Sequence, residues 1–401
     1  MSDRPRPPFG DLAALFLGSR AALLIVGMLA VGLLGSGLAV QKGNLVHHAP
    51  APLPLEIWAR WDAEWYLLIA DEGYQAKEAF EHLPVGYEPT ATAGFFPLYP
   101  FLIRALTPLF GGVLAGILIS NACLAGSLLL LFRLTRDEAR ARAPGDDGMR
   151  AGLLACAAIL VYPASLFLSA VYPESLFLFL TLLVFDRARH GRFALAGAVG
   201  ALAALTRPTG VLLALPLAVE WWSQRGTRAS RPASERRTGV SRWGWLAALG
   251  PVSGTAIFMM MCARLFGDPL AFVHRQERWR GAASGPWRAF VRWWQETPAL
   301  HGAHDSTLEM MTALVLLAIL PFVVLRLRAS YAIHALVTIL VPLCSTVWSF
   351  GRLALPAFPI FMLIGMASSP AGRRMAAIYM MIGGAVSSFL MALFAAWWWA
   401  G

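Results

Sequence analysis

The sequence predicts an all-α polytopic membrane protein, and three observations predict it. Of its 401 residues, 58% are hydrophobic and only 14% charged, with a mean hydropathy of +0.60. Soluble domains carry about a quarter charged residues, so a water-soluble enzyme of this size would lack the polar surface to cover itself. Apolar runs of membrane-spanning length recur along the chain, and the arginines fall between the runs rather than along one face. The formal net charge of +10 is therefore read as membrane orientation, with no nucleic-acid partner. A single membrane-embedded domain over residues 1–401 is expected.

A span needs roughly 20 apolar residues to cross ~30 Å of hydrocarbon. Residues 21–40, 113–132, 243–263, 308–325, 331–348, 353–369 and 375–399 qualify. The N-terminal run starts only after about twenty residues and lacks a cleavage site, so it is not read as a secretory signal. Residues 151–185 are 35 positions with one charge, Glu174. As a single helix they would run ~52 Å, far too long, and Pro163 and Pro173 break the middle. A hairpin with two short legs is the expectation. Residues 193–222 behave likewise, broken at Arg207-Pro208. The total is about 11 transmembrane helices, including the short hairpins.

With the N-terminus cytoplasmic, the inner side receives 21 of the 33 Lys and Arg, in the first 20 residues and near 133–150, 187–192, 223–242, 326–330 and 370–374. That orientation leaves two long outer-face loops, 41–112 and 265–307. The first carries eight carboxylates up to Glu88 against three bases, with many aromatics. The second is rich in Trp and Arg: Trp279, Trp287, Trp293 and Trp294 with Arg275, Arg278, Arg280, Arg288 and Arg292. Long ordered loops on a rigid scaffold are where chemistry is expected.

The most informative stretch is Trp58-Ala59-Arg60-Trp61-Asp62-Ala63-Glu64-Trp65-Tyr66. Trp61, Trp65 and Leu68 share one helical face, as an interfacial helix requires. Asp62 and Glu64 lie ~200° apart around the same axis, so the two acids have different tasks. An acid held among aromatics at the lipid boundary gains basicity, which suits a general base acting on a hydroxyl. The same pattern also fits an aromatic belt with solvated acids. Glu174 and Arg207 sit at the tips of hairpins too short to reach the outer surface, where a charge must pair or line a wet cavity. Their plainer readings are a first-turn acid and a snorkelling base. Arg352, beside Pro356 and Pro359, is a third isolated outer charge, and two guanidiniums at this depth suit a lipid phosphate. The cysteines (Cys123, Cys156, Cys262, Cys344) read as packing hydrophobes. His47-His48 and His301-Gly302-Ala303-His304-Asp305 are weak metal candidates; Asp305 or Ser306 more simply caps a helix starting near Thr307. No metal site and no cofactor are expected, and no nucleotide-binding loop or nucleophile elbow appears.

Taken together these residues resemble one family. Arg60-Trp61-Asp62 with Trp65-Tyr66 and Gly73-Tyr74, followed by Phe95-Phe96-Pro97-Leu98-Tyr99-Pro100, are similar to the signature of the second mannosyltransferase of GPI-anchor synthesis and its bacterial relatives (PIG-V-like). Further likenesses run through Pro163 to Phe177, Thr206-Arg207 with Gly210, Gly267-Asp268-Pro269 with Gln276 and Trp279, and Arg352 with Leu355-Pro356. The resemblance implies a GT-C glycosyltransferase: a multi-span scaffold with an acid in the first outer loop and a polyprenyl-phosphate sugar donor. It implies an inverting transfer of a hexose, mannose first among them, to a lipid or glycan acceptor at the outer face of the plasma membrane. Asp62 would be the general base, and Arg207 and Arg352 would hold the donor phosphate. Arg60, Glu64, Tyr66, Tyr99, Glu174, Gln276 and Trp279 are the candidate substrate contacts. Glu64 and the Arg-rich second loop do not map onto the family pattern. The rival readings are a lipid-linked sugar flippase or transporter, which needs no base, and a structural envelope subunit.

Overall fold

The computed structural model describes residues 8–35, 46–47, 49–74, 89–143, 145–229, 241–295 and 306–400. His48, His301, His304 and Asp305 of the histidine-containing clusters lie outside these residues. The described chain is α-helical and without strands. Besides the single turn Leu53–Glu56, its α-helices are α1 Phe9–Leu34, α2 Asp62–Asp71, α3 Leu98–Phe110, α4 Gly112–Arg142, α5 Met149–Leu160, α6 Glu174–Arg189, α7 Phe193–Ala204, α8 Ala214–Ala229, α9 Leu249–Phe266, α10 Ala271–Arg280, α11 Arg288–Gln295, α12 Thr307–Arg326, α13 Ala329–Leu343, α14 Phe350–Ala354, α15 Phe358–Gly365 and α16 Pro370–Ala395.

Among the described residues, five helices are long and apolar enough to cross a membrane: Phe9–Leu34, Gly112–Arg142, Gly244–Phe266, Thr307–Arg326 and Pro370–Ala395. The other apolar helices are shorter, so the five long helices do not by themselves make up the expected count of about 11 transmembrane helices, short hairpins included. The two hairpins do: α5 stops at Leu160 and α6 starts after Pro173, while α7 stops at Ala204 and α8 follows the single turn Pro208–Leu213. Proline cannot donate to the helical ladder, and it pushes the preceding residue out of helical geometry.

Three expectations change. α1 starts at Phe9 rather than near residue 21. Arg20 does not end the apolar run from outside; it lies within the helix, buried, and donates to Ser165 O at 2.9 Å and Leu160 O at 3.3 Å. It thereby satisfies carbonyls that the break after α5 leaves without helical partners. The described part of the supposed outer loop 41–112 carries helices: α2, a 3-10 segment at Pro89–Gly94, and α3. α3 has only 13 residues, too few to register as a span, but it buries Tyr99 and Ile103 on one face. The 265–307 segment likewise contains α10 and α11.

Close approach of backbones holds the short helices together. Gly250 and Gly254 on α9 meet Gly197 and Ala201 on α7, both pairs spaced by four residues. A Cβ at Gly250 would lie 2.0 Å from Gly197 O, and one at Gly254 2.2 Å from Ala201 O. Small residues at this spacing permit backbone contact between membrane helices, where lipid gives no hydrophobic drive to associate.

The basic connections gather at one end of the bundle. Glu138, 3% exposed, is ringed by Arg142 at 2.8 Å, Arg328 at 3.3 Å and Arg189 at 3.6 Å. Glu220 receives a hydrogen bond from Ser330 at 2.5 Å. The last turn of α6 belongs to this cluster through Arg189, while its first residue, Glu174, lies about 22 Å away along the helix. Gly254→Leu is expected to destabilise the protein by about 1–3 kcal/mol through overpacking, read as a lower midpoint in thermal unfolding in detergent. Gly32→Ala in α1, whose Cβ would meet nothing within 4 Å, should leave the midpoint unchanged or raise it.

Candidate active site

Four segments far apart in sequence deliver charges to one place. Arg352 Nη1 donates to Asp62 Oδ2 at 2.7 Å, and Arg207 Nη1 donates to Glu174 Oε1 at 2.7 Å. Arg352 Nε lies 3.5 Å from the same Glu174 oxygen, so the charges alternate as Asp62, Arg352, Glu174, Arg207. Side-chain exposure falls from 26% at Asp62 through 13% at Arg352 and 9% at Arg207 to 1% at Glu174. The cluster is therefore most open at its Asp62 end.

Each charge sits at an interruption of helix. Glu174 opens α6 just after Pro173, Arg207 precedes Pro208 in extended conformation, and Arg352 lies in the single turn α14. The interruptions are tied to one another. Tyr162 donates through its hydroxyl to Gly351 O at 3.0 Å, Val171 N to Trp58 O at 2.9 Å, and Leu98 N to Leu205 O at 3.0 Å. Asp62 is the first residue of α2 and follows Trp61, which has φ 57° and ψ −119°. The buried Tyr172 hydroxyl stabilises that turn by donating to Arg60 O at 2.9 Å and accepting from Asp62 N at 3.0 Å. Ser349 and Trp397 also have positive φ, 58° and 66°. Non-glycine residues held there cost about 1–3 kcal/mol each and concentrate at functional sites.

One buried acid was invisible to sequence reasoning. Ser306 caps α12 by accepting from Glu309 N at 3.2 Å. The Glu309 carboxylate accepts from Gly351 N at 2.5 Å, one residue before Arg352. The available signal was Ser306-Thr307-Leu308-Glu309, a capping-box spacing at the head of an apolar run.

The predicted contacts divide. Tyr66 faces the cluster, with its ring edge-on to Phe95 at 5.1 Å and Tyr99 at 5.3 Å and tilted toward Tyr172 at 6.3 Å. Burial raises its hydroxyl well above the ordinary phenol range, so it remains a proton donor. Glu64 points elsewhere, as the helical angle requires: it is buried and accepts from Val46 N at 2.9 Å. Desolvation pushes its pKa up to about 7. Arg60 is not a surface contact for substrate. Its side chain is fully buried, paired with Glu56 and stacked on Trp397 at 4.5 Å. Tyr99 is likewise removed from substrate reach, because it is fully buried and its hydroxyl bridges Gly116 O at 3.1 Å and Ser120 Oγ at 2.8 Å. Glu174 is too buried for a sugar contact and serves instead as shared counter-charge to two arginines. Trp279 packs against Phe95 at 5.6 Å, under the Arg275 guanidinium at 4.7 Å. It meets α2 through Phe95, which stacks on Trp65 at 5.3 Å, and Gln276 lies half-buried on the same helix. Among the described residues no three His, Cys, Asp or Glu side chains group to hold a metal ion.

Residues 53–215 match the mannosyltransferase (PIG-V) family. The matched stretch contains Asp62, Glu174 and Arg207 and ends before Arg352. The chain is 34% identical over 160 residues to GPI alpha-1,6-mannosyltransferase 2 of Mus musculus, covering 38% of this chain and 29% of that protein. The Rattus norvegicus protein is also 34% identical over 160 residues, with 30% of its length covered. The chain thus spans less than a third of the curated relatives it matches. Among solved structures it is similar to ArnT from Cupriavidus metallidurans bound to undecaprenyl phosphate (16% identity, TM-score 0.49, 91% of this chain and 62% of that one). It is also similar to the Archaeoglobus fulgidus oligosaccharyltransferase in the apo form (14% identity, TM-score 0.42, 96% and 56%).

Two expectations rest on this geometry. Glu174→Gln leaves Arg207 and Arg352 without their shared counter-charge and should cost about 3–5 kcal/mol. The loss is read by unfolding in a detergent series, and Arg207→Gln in the same chain should recover part of it. Glu64 holds its proton more tightly when folded, so its contribution is complete below the ordinary carboxylate pKa and is lost as pH rises to about 7. Glu64→Gln should flatten the decline in stability between about pH 4.5 and 7; an unchanged slope would refute the assignment.

Proposed function

We propose that this chain is an integral-membrane glycosyltransferase that moves a hexose, mannose first among the candidates, from a polyprenyl phosphate to an acceptor hydroxyl. The observation that carries the reading is Asp62, the most exposed member of the charge cluster, held 2.7 Å from Arg352. In the resting site the Asp62 carboxylate is occupied by the Arg352 guanidinium. A donor phosphate entering the site competes for the same guanidinium and displaces the carboxylate. Asp62 is thereby freed as a base when the donor is in place.

The acceptor O–H then gives its proton to Asp62, and its oxygen attacks the anomeric carbon from the face opposite the phosphate. The C1–O bond to the phosphate breaks, and its electron pair stays on the phosphate oxygen. The charge that develops there is stabilised by Arg352, with Arg207 behind it, a preorganised field aimed at the leaving group. A phosphate leaving group needs no acid, so one base and a cationic cradle are sufficient. A single displacement inverts the anomeric centre. Glu174 keeps both guanidiniums in place during the exchange, and Tyr66 donates a hydrogen bond toward the reacting groups. The apolar hairpin legs provide walls for the polyprenyl chain. The gathering of basic connections at the far end of α6 supports an N-terminus in the cytoplasm and a site at the outer face of the plasma membrane. The acceptor is a lipid or glycan hydroxyl.

Asp62→Asn should lower turnover by about 10²–10⁴-fold while donor affinity is retained or improved, because Arg352 is released for phosphate. The measurement is transfer by purified protein in lipid nanodiscs from a panel of polyprenyl-phosphate sugars, with products identified by mass spectrometry. Unimpaired turnover in the variant would overturn Asp62 as the base, and absence of transfer by the unsubstituted protein from every donor would favour a lipid-linked sugar flippase, which needs no base.

A further inference from the structure

We infer that Trp61, Trp348 and Trp399 form a stacking wall for a pyranose ring beside Asp62, an inference that rests on the transferase reading of the cluster. Trp399 comes from residues 396–400, far outside the family match, and yet it lies against the reacting end of the site. Its ring lies 5.6 Å from the Arg352 guanidinium, edge-on to Trp61 at 5.4 Å and 5.9 Å from Trp348. The other rings against Arg352, Phe167 at 5.4 Å and Tyr172 at 5.3 Å, are fully buried. Trp61, Trp348 and Trp399 are half-buried. The aromatic surface still open to a ligand therefore lies on the accessible side of the cluster.

The arrangement is held at a cost. Trp61 and Trp397 both adopt positive φ, 57° and 66°. Trp61 Nε1 donates to Trp398 O at 3.2 Å, fastening the 396–400 segment onto the start of α2. Trp397 is turned inward over Arg60, and its backbone conformation sets Trp398 and Trp399 in different environments: Trp398 is 66% exposed while Trp399 packs over Arg352.

The chemistry of such a wall selects its occupant. A phosphate would be drawn to the guanidinium, and a polyprenyl chain to aliphatic walls. A pyranose has one face of polarised C–H bonds that packs on the negative face of an aromatic ring, and a rim of hydroxyls that suits the Asp62 carboxylate. A partly wet aromatic surface next to a carboxylate matches that pairing. The ring comes either from the donor or from a sugar on the acceptor, and the test separates them.

The test measures binding of polyprenyl-phosphate mannose and of bare polyprenyl phosphate to Trp399→Ala, Trp399→Phe and Trp398→Ala in nanodiscs. If the wall takes the donor sugar, Trp399→Ala weakens the sugar-bearing lipid about tenfold and leaves the bare phosphate lipid unchanged. Trp399→Phe then recovers most of the loss, and Trp398→Ala changes neither lipid. If the wall takes an acceptor sugar, both lipid affinities stay unchanged and Trp399→Ala raises the acceptor KM with kcat retained. Equal weakening of both lipids, or no effect on either lipid and on acceptor KM, overturns the proposal. Because the lipid arm reads binding alone, its outcome is independent of whether Asp62→Asn abolishes turnover.

Discussion

The structure depends on an alternating row of charges below the boundary of an apolar bundle. Each of Asp62, Arg352, Glu174 and Arg207 would be costly at its depth if left alone. Arranged in sequence, each acid lies against a base, and Glu174 is shared by two. Desolvation makes such a row a poor source of net stability. It does, however, fix the relative positions of four segments, because moving any one of them strands a charge. The row also explains why the helices break here. A continuous helix satisfies its own backbone and leaves no room for a charged side chain to turn inward, whereas an interruption at Pro173, Pro208 or Pro356 provides both space and polar backbone. Irregular backbone at membrane depth is tolerated where it lines such a cavity.

The opposite end of α6 solves a similar problem with a different outcome. There Glu138 is surrounded by three arginines, an arrangement that joins α4, α6 and the α12–α13 connection. At the Asp62 end, exposure rises toward one carboxylate, so the row has an accessible terminus. At the Glu138 end the acid is enclosed. Charge content is similar at the two ends, and access is what distinguishes a site from a staple.

Arginine shows the same lesson residue by residue. Arg20 satisfies carbonyls freed where α5 stops, and Arg60 is sealed between Glu56 and Trp397. Arg280 donates to the carbonyls of Thr346 at 3.1 Å and Pro342 at 3.5 Å, near the end of α13. Arg352 combines a carboxylate partner, Asp62, with an opening to the outside. The aromatic residues divide in the same way, Tyr99 and Tyr172 serving as hydrogen-bonded interior posts while Trp61 and Trp399 border the opening.

Much of the fold was legible in the sequence because hydropathy and proline act locally. Composition alone required a membrane, apolar run lengths located the long helices, and Pro163, Pro173 and Pro208 located the interruptions. The angle between Asp62 and Glu64 correctly separated their surroundings. The isolated charges at Glu174, Arg207 and Arg352 signalled that partners had to exist. Which partners they have was decided only by tertiary structure, since Arg352 reaches Asp62 across 290 positions and Arg207 reaches Glu174 across 33. Burial of Arg60 and Tyr99, the part played by Glu309 and the approach of Trp399 were illegible for the same reason. Residue type and periodicity report which groups must avoid water or lipid, while the choice among equally suitable partners follows from how the interrupted helices pack.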